Sequence, residues 1–500
     1  MLHKILLTIL SVVFGCQLYA QPEMSVGSAI ADIFSGDKEL ISEACLFLST
    51  DRSDSTMVFV EELLDGKYND EVTLARKDRM KLASLKPFID LTDPSAEVRG
   101  AAYLQIAQMK SAQDIALLES VASTESDAKI KGIATESLYK LYLSAGDEEM
   151  QNVAIDAISE GEDMAYANAV REYMKRDDIS NTNIAKGKKL VKYYDMVDRN
   201  NNIYQNVFSG LSLGSILILV SLGLSIVYGL AGIINMSHGE FLMIGAYTTY
   251  CVQQLFEKFL PAAWFDLSFF VSLPISFVVA ALFGLLIERT VLKHLYSRPL
   301  ESMLATLGIS LILIQLARSI FGDLTTVKAP AILSGGVNLG SGLILPYNRL
   351  FIIGLTIVIF IGVYMLFQRT RLGVRIRAVT QNRNMSACVG ISTKKIDMIT
   401  FMFGSGLAGI AGCAITLIGN VVPNMGQTYI VDSFLTVVTG GVGKLAGCAV
   451  SGMGVGVLSK VFEAGFEAVY GKVLMLLLII IFLQYKPKGL FADKGRIGDD

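Results

Sequence analysis

Residues 227–247 read VYGLAGIINMSHGEFLMIGAY, an apolar stretch whose middle holds a cluster of polar side chains. The cluster consists of Asn235, Ser237, His238 and Glu240. No Asp, Glu, Lys or Arg occurs over residues 200–239, and since about 20 apolar residues cross a bilayer, this run is long enough for a span and a sizeable break. Polar backbone at membrane depth needs protein or water around it, so the stretch predicts a helix broken beside a permeation path. The alternative is a short cytoplasmic turn between two full spans.

A second interruption lies near the other end of the apolar half, in the stretch TGGVGKLAG at residues 439–447. Two such breaks are typical of transporters with discontinuous helices. Path residues there would be Asp432, Thr439, Gly440 and Gly441. The alternative for Asp432, as for Glu240, is a place at a helix interface. Further apolar segments lie near 268–287, 303–320, 350–367, 398–419, 433–443, 445–462 and 473–484. We therefore expect an all-α membrane domain over residues 204–496, with roughly eight to ten elements that include re-entrant or broken helices.

The two halves of the chain differ in charge and polarity. The 500 residues are 52% hydrophobic and have a mean hydropathy of +0.50, too apolar for an ordinary globular or disordered protein. Residues 21–200 hold 33 Asp and Glu against 21 Lys and Arg, a balance of −12. Residues 201–500 hold 13 against 21, a balance of +8. An acidic, soluble block therefore precedes a basic, mostly apolar one.

The first 20 residues, MLHKILLTILSVVFGCQLYA, have the layout of a secretory signal peptide, with one lysine, a short apolar stretch and a small residue at Ala20. A simple N-terminal anchor is the alternative, and Cys16 weakly resembles a lipoprotein site. The six cysteines form no CxxC pair and, with three scattered histidines, suggest no metal site. We expect residues 21–180 to be exported.

The exported block, residues 21–180, has the 3.6-residue apolar period of helices. DPSAEVRGAA at 93–102 aligns with ESDAKIKGIA at 125–134, an offset of 32 residues. A period of about 30–40 residues with paired amphipathic helices predicts an α-solenoid, HEAT-like in character, that serves as a docking surface. Two chance amphipathic helices are the alternative. Lysine-rich residues 181–203 would form a linker helix.

Charge predicts the orientation of the spans. Residues 369–395 hold seven Lys or Arg and no acidic residue. Because positive loops stay in the cytoplasm, this loop should be cytoplasmic and the exported N-terminal domain should lie on the other side of the membrane.

Two stretches resemble catalytic motifs, but neither supports catalysis. GLSLG at 210–214 fits the hydrolase pattern G-x-S-x-G, but it opens a membrane helix, where small residues explain it better as a packing face. VTGGVGKL at 438–445 lacks both the first glycine and the final Ser or Thr of an ATP-binding P-loop. GSGLAGIAG at 404–412 is again a close-packing face. The chain is therefore not expected to be an enzyme.

Three stretches of the membrane block resemble the permease family of bacterial high-affinity amino-acid and urea ABC importers. They are residues 210–247, residues 370–392 (TRLGVRIRAVTQNRNMSACVGIS) and GGVGKLAG at 440–447. Within the family, QTYIVDSFLTVVTGGVG at 427–443 and KPKGLFADKGR at 486–496 are most similar to the urea-type branch, as is the exported helical extension. The resemblance implies a type II ABC importer-like fold, in a multi-pass protein of the bacterial inner membrane whose N-terminal domain lies in the periplasm.

The resemblance also implies partners: a second homologous permease, two cytoplasmic ATPase subunits that bind the ATP, and a periplasmic solute-binding protein. No cofactor of its own and no nucleic acid are expected. Residues 379–391 would form a short cytoplasmic helix in an ATPase groove, with roles for Arg377, Arg383, Asn384, Ala387 and Gly390. Alternatively, the arginines only set topology or bind anionic lipid.

The implied solute is a small polar molecule, urea first. The alternatives are a branched-chain or other amino acid and, in different functional classes, a passive channel or a membrane-anchored scaffold. An anchor would need only one or two spans, which disfavours the scaffold.

Overall fold

The computed structural model describes residues 24–35, 37–65, 67–68, 74–231, 235–261, 264–295, 299–340, 342–487 and 489–491. The predicted signal peptide (1–20), with Cys16, and most of the terminal stretch 486–496 lie outside these residues. The chain divides into two compact units, Met1–Met196 and Val197–Asp500. The boundary falls close to the end of the predicted linker helix.

The N-terminal unit is helical and has one continuous core that runs from Ala29 to Tyr194. Its described helices are α1 (Val26–Ile33), α2 (Lys38–Thr50), α3 (Asp54–Leu64), α4 (Arg76–Ala83), α5 (Lys86–Asp90), α6 (Ala96–Met109), α7 (Ile115–Thr124), α8 (Ala128–Ala145), α9 (Glu148–Gly161) and α10 (Ala167–Tyr173). Many begin at a residue that can cap a helix; for example, the Asp127 carboxylate accepts a hydrogen bond from the Lys129 amide at 2.8 Å.

Helices α6 and α8, which carry the two aligned segments, pack on one another. Gly100 of α6 permits this approach, since a Cβ there would lie 3.2 Å from Ile130 Cδ1. The Arg99 guanidinium donates to both oxygens of Glu125 at 3.0 Å, across the same contact. The aligned segments therefore contact each other, while the HEAT-like repeat itself stays a prediction.

The second unit starts within α11, a helix of 51 residues that also covers the predicted linker. Its described elements are α11 (Asn181–Ala231), α12 (His238–Phe259), α13 (Leu267–Thr290), α14 (Pro299–Phe321), β1 (Gly336–Asn338), β2 (Ile344–Pro346), α15 (Tyr347–Arg369), α16 (Arg371–Gln381), α17 (Arg383–Cys388), α18 (Thr393–Ile415), α19 (Met425–Gly440), α20 (Leu445–Gly465) and α21 (Ala468–Tyr485).

Among the described residues, seven helices are long and apolar enough to cross a membrane: α11, α13, α14, α15, α18, α20 and α21. The apolar half therefore forms a polytopic helical unit. Helices α12 and α19 complete the set of long helices in the described part of this unit. The all-α expectation missed β1 and β2, which pair antiparallel with Val337 opposite Leu345. Gly340 and Gly342 have φ near +80°, a backbone conformation that lets this short hairpin turn.

Helices α11 and α18 are the most buried of the candidate spans. Small residues bring their backbones close to their neighbours: a Cβ on Gly214 of α11 would lie 2.8 Å from the Gly452 carbonyl oxygen of α20. A Cβ on Gly409 of α18 would lie 2.5 Å from the Ala280 Cβ of α13. The prediction that 210–214 and 404–412 are packing faces is confirmed.

Candidate functional site

The helix ends where the sequence predicted its first break. Helix α11 ends at Ala231, α12 begins at His238, and the described residues 235–237 between them are not helical. The Asn235 side-chain oxygen accepts hydrogen bonds from the amide and the hydroxyl of Ser237, at 3.0 and 2.7 Å. Asn235, Ser237, His238 and Glu240 are each at most 1% exposed. The four predicted residues thus form one buried polar cluster at the start of α12.

His238 lies against α11. Its Nε2 is 3.3 Å from the carbonyl oxygen of Val220, and Gly223 leaves room for the ring, since a Cβ there would lie 3.1 Å from Nε2. The ring also packs edge-on against Phe241. Nδ1 of His238 has no hydrogen-bond partner among the described residues.

Glu240 joins α12 to two other helices. Its Oε1 accepts a hydrogen bond from the Ser310 hydroxyl of α14 at 2.8 Å. Its Oε2 is buried without a partner among the described residues, beside Gly426 in the first turn of α19. Four residues before Ser310, the Thr306 hydroxyl accepts from the Met236 amide at 3.1 Å.

Sequence reasoning missed Thr306 and Ser310 as partners of the cluster. The available signal was their spacing, because hydroxyls four residues apart share one face of a helix. Both residues are at most 2% exposed in a mostly apolar helix.

The second predicted break also coincides with a helix end. Helix α19 ends at Gly440 and α20 begins at Leu445, with Gly441 at φ +99° between them. Gly440 and Gly447 pack backbone to backbone, which forms a tight corner. The Thr439 hydroxyl donates to the Leu435 carbonyl at 2.7 Å within its own helix.

The corner between α19 and α20 meets the end of α11, since a Cβ on Gly229 would lie 2.5 Å from Gly443 Cα. Asp432 lies two turns before the corner and pairs with Lys472 of α21 at 3.4 Å. The predicted path residues therefore fall into three places: the cluster at α12, the α19–α20 corner, and the Asp432 pair.

The basic loop forms two short helices, α16 and α17. Each begins with a side-chain cap: Thr370 accepts from the Gly373 amide at 3.3 Å, and Asn382 from the Met385 amide at 2.9 Å. Arg377 donates to the Phe367 carbonyl of α15. Arg383 forms an ion pair with Asp397 of α18, which is 4% exposed. These two arginines fasten the segment to the neighbouring long helices.

Most of the remaining residues of α17, and those directly after it, are exposed, while Ser386 is buried. Met385 is 63% and Val389 is 74% exposed, and Asn384, Ala387 and Gly390 are also at the surface. Gly390 has φ +87°, which turns the chain directly after the helix. Apolar side chains presented together on a fixed helix are typical of a surface that another protein or a membrane covers.

The family profile described as "Branched-chain amino acid transport system / permease component" matches residues 206–483, more than half of the chain. BraD of Pseudomonas aeruginosa, a high-affinity branched-chain amino acid transport system permease protein, is 28% identical over 294 residues, which cover 58% of this chain and 95% of the relative. LivH of Escherichia coli K12, which carries the same description, is 26% identical over 298 residues, or 58% and 95% of the two chains. A probable branched-chain amino acid transport permease protein, LivH of Methanocaldococcus jannaschii, is 28% identical, covering 55% and 88%.

No solved structure matches the chain. The family match begins at residue 206, so it covers the apolar unit and leaves the N-terminal unit outside. The matched relatives are transport permeases and not enzymes. With several helices apolar enough to span a membrane inside the matched region, this multi-pass protein belongs to the permease family of branched-chain amino acid transport systems.

Proposed function

We propose that this chain is the membrane-spanning permease subunit of an ABC importer, driven by separate ATPase subunits that bind ATP. The observation that carries the proposal is the exposed apolar surface formed by Met385 of α17 and by Val389 directly after that helix. Arg383 fastens α17 to α18, and Arg377 fastens the preceding helix α16 to α15. An exposed surface that is anchored in this way suits a coupling element, because a force that a partner applies to α17 reaches the membrane helices directly. Family membership supports the transport role.

The partners proposed with it are a second homologous permease, two cytoplasmic ATPases and a periplasmic solute-binding protein. The basic segment 369–395 would face the cytoplasm by the positive-inside rule, and the N-terminal unit the periplasm. The buried cluster at the start of α12 would border the solute path, since its hydroxyl, amide and imidazole groups are embedded in an apolar unit. In this proposal the N-terminal unit is an α-solenoid that docks another subunit.

Two solutes have support from different observations. The names of the relatives favour a branched-chain or other amino acid, and the comparisons back this solute better than urea. Urea is favoured by residues 427–443 and 486–496, which resemble the urea-type branch, and by the N-terminal unit that the family match leaves outside.

Uptake of radiolabelled leucine and urea, in cells with and without the gene for this chain, tests the proposal. We expect energy-dependent uptake of one solute to require the gene and to be competed by that solute but not by the other. Uptake that persists after ATP depletion would indicate a passive channel instead. Unchanged uptake of both solutes in the deletion strain would contradict both assignments.

A further inference from the structure

A cleft of about 500 Å³ opens in the apolar unit, among α15, α20, α21 and the first half of α19. Its lining is unusually rich in charge for helices of this hydropathy. The charged and polar residues that matter here are Arg349, Asp432, Lys472, Lys460, Glu463 and Thr428. Charged side chains among membrane helices are costly unless they are paired or face a watery cavity, so this cleft calls for an explanation.

Ion pairs explain only part of the lining. Lys460 pairs with Glu463 at 2.6 Å, and Lys472 with the Oδ2 of Asp432 at 3.4 Å. Both pairs are ordinary ways to accommodate charged side chains among apolar helices. Two polar groups of the lining, the guanidinium of Arg349 and Oδ1 of Asp432, take no part in these pairs.

The first unused group is the guanidinium of Arg349. It is half-buried and forms no ion pair with any residue that the structure describes. Its contact is a long one, 3.5 Å from Nη1 to the carbonyl oxygen of Ser209. A guanidinium with most of its five donors free is well suited to an oxygen acceptor.

The second unused group is Oδ1 of Asp432. It is buried and has no hydrogen-bond partner among the described residues, although the other oxygen of the same carboxylate pairs with Lys472. A buried acceptor without a partner costs free energy, about 1–3 kcal/mol for a typical group, unless water or a ligand satisfies it. Two residues that line the cleft, Arg349 and Asp432 from different helices, thus carry a donor group without an ion pair and an acceptor oxygen without a partner among the described residues.

The position of the cleft fits an entry site. Arg349 is in the first turn of α15, and Arg369, at the other end of that helix, leads into the basic segment. Twenty residues of α-helix span about 30 Å, the thickness of a hydrocarbon core. The cleft therefore lies at the end of α15 opposite the surface proposed for the ATPases.

We propose that this cleft binds the solute as it enters the permease, with Asp432 accepting hydrogen bonds from an N–H group of the solute and Arg349 donating to an adjacent oxygen. The class of ligand is a small molecule in which N–H donors lie next to a carbonyl or carboxylate oxygen. Urea and an α-amino acid share this chemistry. This inference rests on the proposed function and adds to it a binding site within the permease itself.

Protection of an introduced cysteine tests the site without requiring transport. Thr428 lines the cleft and is exposed, so Thr428→Cys should react with a membrane-impermeant maleimide applied to intact spheroplasts that express the full chain with its complex. The parent chain without this substitution reports labelling of native cysteines. Leucine and urea are added separately, at increasing millimolar concentrations.

We expect one or both solutes to slow the labelling. The solute that protects Thr428→Cys identifies whether the cleft binds urea, an α-amino acid or both. Asp432→Asn and Arg349→Gln, each combined with Thr428→Cys, should raise the protecting concentration at least tenfold. Asp323→Asn is the matched control, since Asp323 pairs with Arg318 at 2.9 Å and does not line the cleft. It should leave protection unchanged.

Two outcomes overturn the inference: neither solute slows labelling of Thr428→Cys, or protection survives both Asp432→Asn and Arg349→Gln. Uptake measured in the same cells separates this failure from a failure of the proposed function. Normal gene-dependent uptake without protection of Thr428→Cys would refute the binding site in the cleft and leave the proposed importer function standing.

Discussion

Gly239 and Gly426 bring the first turns of α12 and α19 into direct contact, because neither residue has a side chain to separate them. A Cβ on Gly426 would lie 2.7 Å from the carbonyl oxygen of Gly239, a separation that real Cβ atoms do not show. Glu240 lies beside this crossing, and the same imagined Cβ would be 2.7 Å from its Oε2. Two helices that begin inside the apolar unit are thus joined at their starts.

Gly239→Ala should therefore destabilise the protein, since an added methyl group at this crossing must push the two backbones apart. Overpacking of this kind lowers the free energy of unfolding by about 1–3 kcal/mol. The measurement is the thermal unfolding midpoint of the purified protein in detergent. Gly354→Ala is the control, because Gly354 of α15 has open space around its Cβ position. Equal midpoints for the two variants would show that the crossing is not tight.

Ser310→Ala should lower stability by about 1–3 kcal/mol, the typical cost of a buried polar group without its partner. The substitution removes the hydroxyl that donates to Glu240 Oε1 at 2.8 Å. Ser319→Ala serves as control on the same helix, because the Ser319 hydroxyl is exposed and bonds only to Gln315 of its own helix. Denaturant unfolding of both variants checks this, and a larger loss at Ser319 would contradict it.

Met385→Glu combined with Val389→Glu should abolish ATP-driven uptake while the protein still inserts in the membrane. Both side chains are exposed, so the charges leave the fold intact but spoil an apolar contact with a partner. The conservative pair Met385→Leu and Val389→Ile should keep most uptake. Wild-type rates in the charged variant would refute the coupling role of α17.

A reporter enzyme that works only in the periplasm should be active when fused at Asp147 and inactive when fused at Asn384. Asp147 is an exposed residue at the start of α9, and Asn384 is exposed on α17. The expectation follows from the seven basic residues over 369–395. The opposite pattern of activities would invert the proposed orientation.

Cys45 should react with iodoacetamide far more slowly than Cys388 at pH 8. Burial among α2 and its neighbours, with a smaller contribution from Asp78, raises the pKa of the Cys45 thiol to about 11 from 9.0. The reactive thiolate is therefore about a hundredfold scarcer than for an unshifted thiol, and the side chain is also inaccessible. Cys388 is exposed. Mass spectrometry of the folded protein over time measures both rates.

The sequence located the helix ends near Asn235 and Gly441 because both depend on local features: polar side chains in an apolar run, and glycines that adopt positive φ. It could not locate Ser310 or Arg349. Ser310 meets Glu240 across 70 residues, and Arg349 shares a cleft with Asp432 and Lys472, from two other helices. Such neighbours are set by helix packing, which the apolar period of a single segment does not encode.

The hairpin of β1 and β2 was missed for a different reason. Its strands are three residues each, too short for the alternation of polar and apolar residues to stand out. The residues around α17 lie close together in the chain, so the sequence could place them in one segment. The single helix expected over 379–391 is instead divided at Asn382 between the end of α16 and the shorter α17.

Helix α18 has little freedom to move relative to its neighbours. Arg383 ties its first turn to α17, while Gly404 touches Gly223 of α11 and Gly412 touches Leu242 of α12, each with backbone against backbone. Backbone contacts of this kind cannot accommodate a displacement through a change of side-chain rotamers. A force applied to α17 must therefore move α18, α11 and α12 as one block or not at all. Movements of these coupled helices would therefore be transitions between discrete packing arrangements, and would not be graded.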